Sequence, residues 1–211
     1  MKKAIIFDLD GTLWDSTGCA AKVWNSLSAR HDDICLSMTE ERAGSLMGKT
    51  MEEICEILFP DLSETRRQEI FEDFSIHEQM YLREHGAILY DRVQETLKKL
   101  SETFDLYIVS NSQDGYVQSF LYAHDLGVFF KDFEMSGRTG LSKGKNIRLI
   151  MDRNDVETAV YVGDTESDEK AARFAGIPFI YASYGFGEAV SPDGIIDGFS
   201  EIEDTIRAVL T

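Results

Sequence analysis

Hydrophobic positions along this chain fall into two rhythms. Ala4, Ile5, Ile6 and Phe7 form a short continuous apolar run, the pattern of a strand buried on both faces of a parallel sheet. Runs of the same kind recur at 105–109, 159–162 and 178–181, with shorter ones at 133–135 and 195–196. Between them the apolar residues shift to helical spacing. Val93, Leu97 and Leu100 predict one helix, and a second spans about 115–123. Ile147, Ile150 and Met151 predict a third, a fourth runs about 166–175 and stops at Gly176, and a last one covers 202–210. Strands alternating with helices predict an α/β fold with a doubly wound parallel sheet.

One stretch breaks the alternation. Residues 16 to 86 show helical spacing and no convincing strand. Ala20, Val23, Trp24 and Leu27 follow a cap at Ser16, and a long helix carries Ile70, Phe71, Phe74 and Tyr81 from Ser63 to Gly86. Ser37 with Glu40 and Thr50 with Glu53 have capping-box spacing, and the turn at 46–50 separates those two helices. The expected division is a core of 1–15 and 87–211 with a small all-helical insertion over 16–86. Asp91 and Gln94 are expected to open the next helix.

The chemistry-bearing residues cluster where strands end. Asp8 and Asp10 follow the first strand, before Gly11 and Thr12 start a turn. In open α/β sheets ligands bind beyond the carboxyl ends of the strands. Two carboxylates so close repel unless a cation or shared proton relieves them, and a divalent metal is the simplest relief. Ser110 and Asn111 end a second strand, where a hydroxyl and backbone amides can hold phosphate oxygens. Lys143 and Lys145 both stand near the start of a helix capped by Ser142, where an ammonium can neutralise an anionic group. Asp164 ends a third strand with Asp168 four residues on, one helical turn away, so both carboxylates can face one space.

The string DLDGTLWD, with Ser110, Lys143 and the GDTESD run at 163–168, resembles the four motifs of the haloacid dehalogenase-like superfamily in order. The resemblance spans residues 8 to 168, and the α/β pattern agrees with it along nearly the whole chain. It implies that 16–86 is a helical cap and that Asp8 is a nucleophile forming an aspartyl-phosphate. It implies that Asp10 acts as acid and then base, and that Lys143 is the motif lysine, although the KPxP form often found around that lysine is missing. Mg²⁺ would be held by Asp8, the Asp10 backbone carbonyl and Asp164, with Asp168 bound directly or through water. Thr12, Ser110, Asn111 and Lys143 would hold phosphate oxygens or orient the carboxylates. A second aspartate at position 10 points to a phosphatase or phosphomutase, since the dehalogenases lack it and P-type ATPases have threonine there.

Composition narrows the partners. The net charge of −17 argues against nucleic acid and anionic membranes, which need a basic face. Cys19, Cys35 and Cys55 lack metal-site spacing and suit reduced thiols in the cytoplasm. The N-terminal apolar run is too short for a signal peptide, and no stretch approaches the roughly 20 apolar residues of a membrane span. His31, His77, His85 and His124 lie outside the motifs and read as structural.

The expected partner is therefore a small phosphorylated metabolite, phosphoglycolate-like or a sugar phosphate. Its leaving group would meet Trp14, Asp15, Gly48, Lys49 or Gln113; Trp14 reads better as a core residue at the hinge, and Lys49 as a solvated lysine that is also the cap's candidate ligand. Phosphonatases of similar build carry a cap lysine, and beta-phosphoglucomutases an arginine, near the position that Met51 occupies here. A non-catalytic binding module on the same fold is the alternative of a different class; the intact set of Asp8, Asp10, Lys143, Asp164 and Asp168 counts against it.

Overall fold

The computed structural model describes residues 3–210, so positions 1, 2 and 211 of the expected core segments lie outside the described residues. Strand β1 (Lys3–Phe7) lies inside a six-stranded sheet. On one side it pairs with β4 (Asp105–Ser110), which pairs with β5 (Phe130–Met135). On the other side come β6 (Thr158–Gly163), β7 (Phe179–Ala182) and β8 (Gly194–Ile196). Every pairing in this sheet is parallel, and both faces are covered. Ile5 and Phe7 point into one cluster with Val93, Leu97 and Leu100 of α5 (Val93–Ser101), Phe120 of α6 (Tyr116–His124) and Ile206 of α10 (Ile202–Val209). Ala4 and Ile6 point the other way, onto Ile147 and Ile150 of α8 (Lys143–Arg153) and Ala172 of α9 (Glu166–Ala175). The two-residue alternation of a strand thus supplies both layers of the core from one continuous apolar run.

The helical stretch folds as a lobe with its own apolar cluster. Helices α1 (Thr17–Leu27), α2 (Glu40–Gly44), α3 (Met51–Leu58) and α4 (Glu64–His85) surround Trp24, Leu27, Ile70 and Phe74. Trp24 and Phe74 stack with ring centroids 3.9 Å apart. Two short strands that the apolar pattern does not announce join lobe to sheet domain: β2 (Trp14–Asp15) and β3 (Ile88–Leu89) pair antiparallel. Among the described residues, no helix is long and apolar enough to cross a membrane.

Some local expectations shift. The capping box expected at Ser37 is replaced by a cap at Thr39, whose Oγ1 accepts the Arg42 amide. The cause lies next to it: the Asn25 side chain bonds both backbone groups of Met38, at 2.7 and 2.8 Å, and delays the helix start. The box at Thr50 and Glu53 forms. Ser16 precedes α1 but gives its hydroxyl to Asp10 instead of capping. Helix α5 opens after a left-handed Arg92, not at Asp91. A one-turn helix, α7 (Ser136–Thr139), follows β5 without a signal in the pattern.

Candidate active site

Three neighbouring strand ends build the floor of the site. Phe7 and Val162 face each other in register, and the ladder continues as the Asp8 amide donates to the Val162 carbonyl at 2.8 Å. Asp8 and Asp164 therefore leave adjacent strands side by side, while Ser110 ends β4 on the other flank of β1. Lys143 enters from the first turn of α8 and is buried. Its Nζ lies 3.0 Å from an Asp8 oxygen and donates to Asp168 at 2.6 Å. Lys145 is exposed, so geometry separates the two lysines that spacing left open.

Both oxygens of Asp168 are hydrogen-bonded. Its Oδ2 accepts from the Asp164 and Thr165 amides and from the Thr165 hydroxyl, closing a capping box on α9, while its Oδ1 takes Lys143. It sets the position of Lys143 and of the turn bearing Asp164. Asp164 is held by the Phe186 amide at 2.7 Å on Oδ2, but its buried Oδ1 has no partner. Gly11 (φ +77°) and Gly185 make room for it; a Cβ at either would collide with the Asp164 carboxylate.

Oxygens of Asp8, Asp164 and Asp168 lie within 4.8 Å of one another. Three carboxylates against one ammonium leave two negative charges uncompensated. Burial pushes the Asp8 carboxyl well above its usual range, against the pull of Lys143. Burial, reinforced by Asp168, pushes Asp164 up to about 7. Burial disfavours the Lys143 ammonium, but Asp168 and Asp8 outweigh it and the lysine stays charged. Excess negative charge, hard oxygen donors and an orphaned carboxylate oxygen fit a small divalent cation.

Asp10 is clamped separately. Its Oδ1 accepts from Trp14 Nε1 (2.8 Å), the Ser16 hydroxyl (2.6 Å) and the Tyr116 hydroxyl (2.8 Å). Burial raises its proton affinity, and these three bonds oppose the rise. Trp14 is fully buried at the neck, as expected of a core residue, yet its indole also orients an acid of the site.

Other sequence-predicted residues take varied places. Thr12 is buried with its hydroxyl unpartnered, and Ser110 Oγ accepts the Ser112 amide at 3.2 Å. Asn111 turns to another use: its amide nitrogen donates to the Gly48 carbonyl of the lobe and its Oδ1 accepts from Ser136. Lys49 is exposed, but lines the cavity that contains Asp8 and Asp10. That cavity, of about 60 Å³, is lined by both aspartates; a larger cleft of about 1430 Å³ beside it is lined by neither.

Sequence reasoning passed over Tyr116, Ser112 and Glu78. Ser112 lines the cavity with a buried, unpartnered hydroxyl. Glu78 left a readable signal: it interrupts the apolar ladder Ile70, Phe74, Leu82 at four-residue spacing on α4.

Comparison with known proteins agrees with this architecture. A family model described as haloacid dehalogenase-like hydrolase matches residues 5–182. A protein of Vibrio parahaemolyticus named phosphoglycolate phosphatase is 30% identical over 97% of this chain and 96% of its own length. Among solved structures, a haloacid dehalogenase-like hydrolase of Bacteroides fragilis superposes with a TM-score of 0.83 at 24% identity, over 96% of this chain and 100% of that one. CbbY of Rhodobacter sphaeroides, solved in complex with phosphate, gives 0.81 at 20% identity over 96% of each chain.

Proposed function

The chain belongs to the haloacid dehalogenase-like hydrolase family, and from that premise we propose that it hydrolyses a small phosphomonoester, phosphoglycolate-like or a sugar phosphate, through Asp8. One observation carries the reading. Asp8 stands 3.0 Å from a buried lysine, beside an orphaned Asp164 oxygen, at the end of the strand whose next acid is the clamped Asp10.

In the first step an Asp8 oxygen attacks phosphorus and the phosphorus–oxygen bond to the leaving group breaks, leaving an aspartyl-phosphate. The leaving oxygen takes its proton from Asp10, whose free oxygen is aimed by the bonds that fix Oδ1. In the second step Asp10 removes a proton from water as that water attacks the same phosphorus. Inorganic phosphate departs and Asp8 is restored. Lys143 offsets charge on Asp8 and on the phosphoryl oxygens, and Asp168 holds the lysine in place. Ser110, Ser112 and Thr12 offer hydroxyls and nearby amides to those oxygens. Mg²⁺, held by Asp8, Asp164 and the Asp10 carbonyl, with Asp168 directly or through water, would supply the remaining positive charge that lets an anionic nucleophile meet an anionic ester.

The lobe of residues 16–86 acts in this reading as the cap over the leaving group, with Lys49 at the cavity mouth, and the enzyme works on a cytoplasmic metabolite. The test is phosphate release from a panel of small phosphomonoesters with Mg²⁺, with EDTA, and in Asp8→Asn. Turnover lost in both controls by about 10⁴-fold is expected for a nucleophile and its charge partner. Equal turnover in Asp8→Asn would refute the assignment.

A further inference from the structure

Glu78 is a buried acid without a cation. It stands on α4 where the buried stripe passes from the lobe cluster, which holds Ile70 and Phe74, to the sheet-domain cluster, which holds Leu82. It is 4% exposed. Gln113 donates to it at 2.5 Å, and among the described residues no basic side chain pairs with it. An apolar residue would complete the stripe at lower cost, because a buried carboxyl must recover the hydration it loses. Both Glu78 and Gln113 line the cavity that holds Asp8 and Asp10, which gives the acid a polar occupant to meet.

The rest of the cavity wall limits what that occupant is. Trp24 and Phe74 present a stacked aromatic surface. The buried cation, Lys143, is already matched by Asp8 and Asp168, and Lys49 is exposed. The cavity is small, about 60 Å³, so the leaving-group fragment it admits is short.

The geometry points to a leaving group that is a short, uncharged polyol, with hydroxyls bonded to Glu78 and Gln113 and its C–H face on Trp24 and Phe74, and to discrimination against leaving groups that carry a carboxylate. This rests on the proposed phosphatase reading and narrows it. It also parts this chain from the substrate in its relatives' name. The proton affinity of Glu78 agrees: burial, opposed by the Gln113 bond and reinforced by the charge of Asp10, pushes its carboxyl up to about 8. In the empty cavity the group keeps its proton near neutrality, and it both donates and accepts, as a hydroxyl does. A substrate carboxylate would lose its hydration there and meet no free buried cation, since Lys143 is already matched by Asp8 and Asp168.

The experiment compares kcat/KM for glycerol phosphate and phosphoglycolate in the full chain with Mg²⁺, for wild type, Glu78→Leu, Gln113→Ala and Asp8→Asn. Wild type is expected to favour the polyol ester by at least about tenfold, because a site built to bond hydroxyls rejects partners that leave it unpaired. Glu78→Leu removes the donor and the acceptor together and should shrink that ratio by about tenfold, mainly through KM. Gln113→Ala reads the same ratio should Glu78→Leu fail to fold. A wild type that favours phosphoglycolate overturns the inference, as does a ratio unmoved in a folded variant. Absence of Asp8-dependent turnover on either ester refutes the proposed function itself, and this inference with it.

Discussion

Two groups of buried acids meet at one small cavity, which Asp8 lines for the first and Glu78 for the second, and they are neutralised by different means. On the sheet side, Asp8, Asp164 and Asp168 crowd around one lysine and leave an oxygen without a partner. On the lobe side, Glu78 meets only a neutral amide. The first arrangement suits a cation, because its charge exceeds what Lys143 supplies. The second suits a proton, because no positive group is there to hold the charged form. On the proposed function the difference would divide the labour: the strand ends would handle the anionic reacting group, and the lobe would read a neutral one.

Breaking the sheet-side compensation should have the largest effect. Lys143→Met leaves Asp8 and Asp168 buried without their ammonium, and loss of one partner of such a pair costs about 3–5 kcal/mol. Urea unfolding without divalent ions measures it, and a loss under about 1 kcal/mol would show that the pair is relieved by protonation instead. Adding a cation is the converse. Mg²⁺ at a hundred times its dissociation constant should stabilise wild type by about 2.7 kcal/mol. Asp164→Asn should abolish most of that gain, and thermal unfolding with and without Mg²⁺ reads both.

The lobe side sharpens the contrast through pH. Glu78 binds its proton more tightly folded (about 8) than unfolded (4.5). Its contribution is complete below pH 4.5 and is lost as pH rises through about 8. Wild type should therefore lose stability relative to Glu78→Gln across that window. Urea titrations of the two proteins at both ends of the window, in saturating Mg²⁺ to quiet the sheet-side acids, check the sign. A parallel pH course in the two proteins would show that Glu78 is ionised when folded. The smallest effect belongs to the bond that joins the two sides. Asn111→Ala removes the contact to the Gly48 carbonyl, worth about 0.5–1.5 kcal/mol. It should speed proteolysis of the 46–50 turn a few-fold, and an unchanged cleavage rate would mean that the contact does not hold the lobe down.

What the chain reveals of itself follows the same division. The sheet side was legible because its residues sit at strand ends in fixed spacing. Asp8, Asp10, Ser110, Lys143, Asp164 and Asp168 all converge where the motif order places them. The apolar runs likewise disclosed the parallel strands, since burial on both faces leaves no alternation to misread. Tyr116 stayed hidden because the acid it bonds, Asp10, lies 106 residues away, and the one trace Glu78 leaves is a gap in the apolar stripe of α4. β2 and β3 stayed hidden because two residues carry no period. Asn111 was placed correctly on its strand end, but its partner at Gly48 lies 63 residues away, beyond anything local spacing records.

The neck deserves a last consequence. Because β2 and β3 are bonded to each other, the chain leaves the sheet domain and returns to it at nearly one point. Everything between them is topologically a closed loop, and the cost of closing such a loop grows only with the logarithm of its length. The segment can therefore lengthen, shorten or be exchanged without disturbing a single pairing of the six-stranded sheet. In the proposed enzyme, chemistry and selectivity would then be separable inheritances, with one doorway between them.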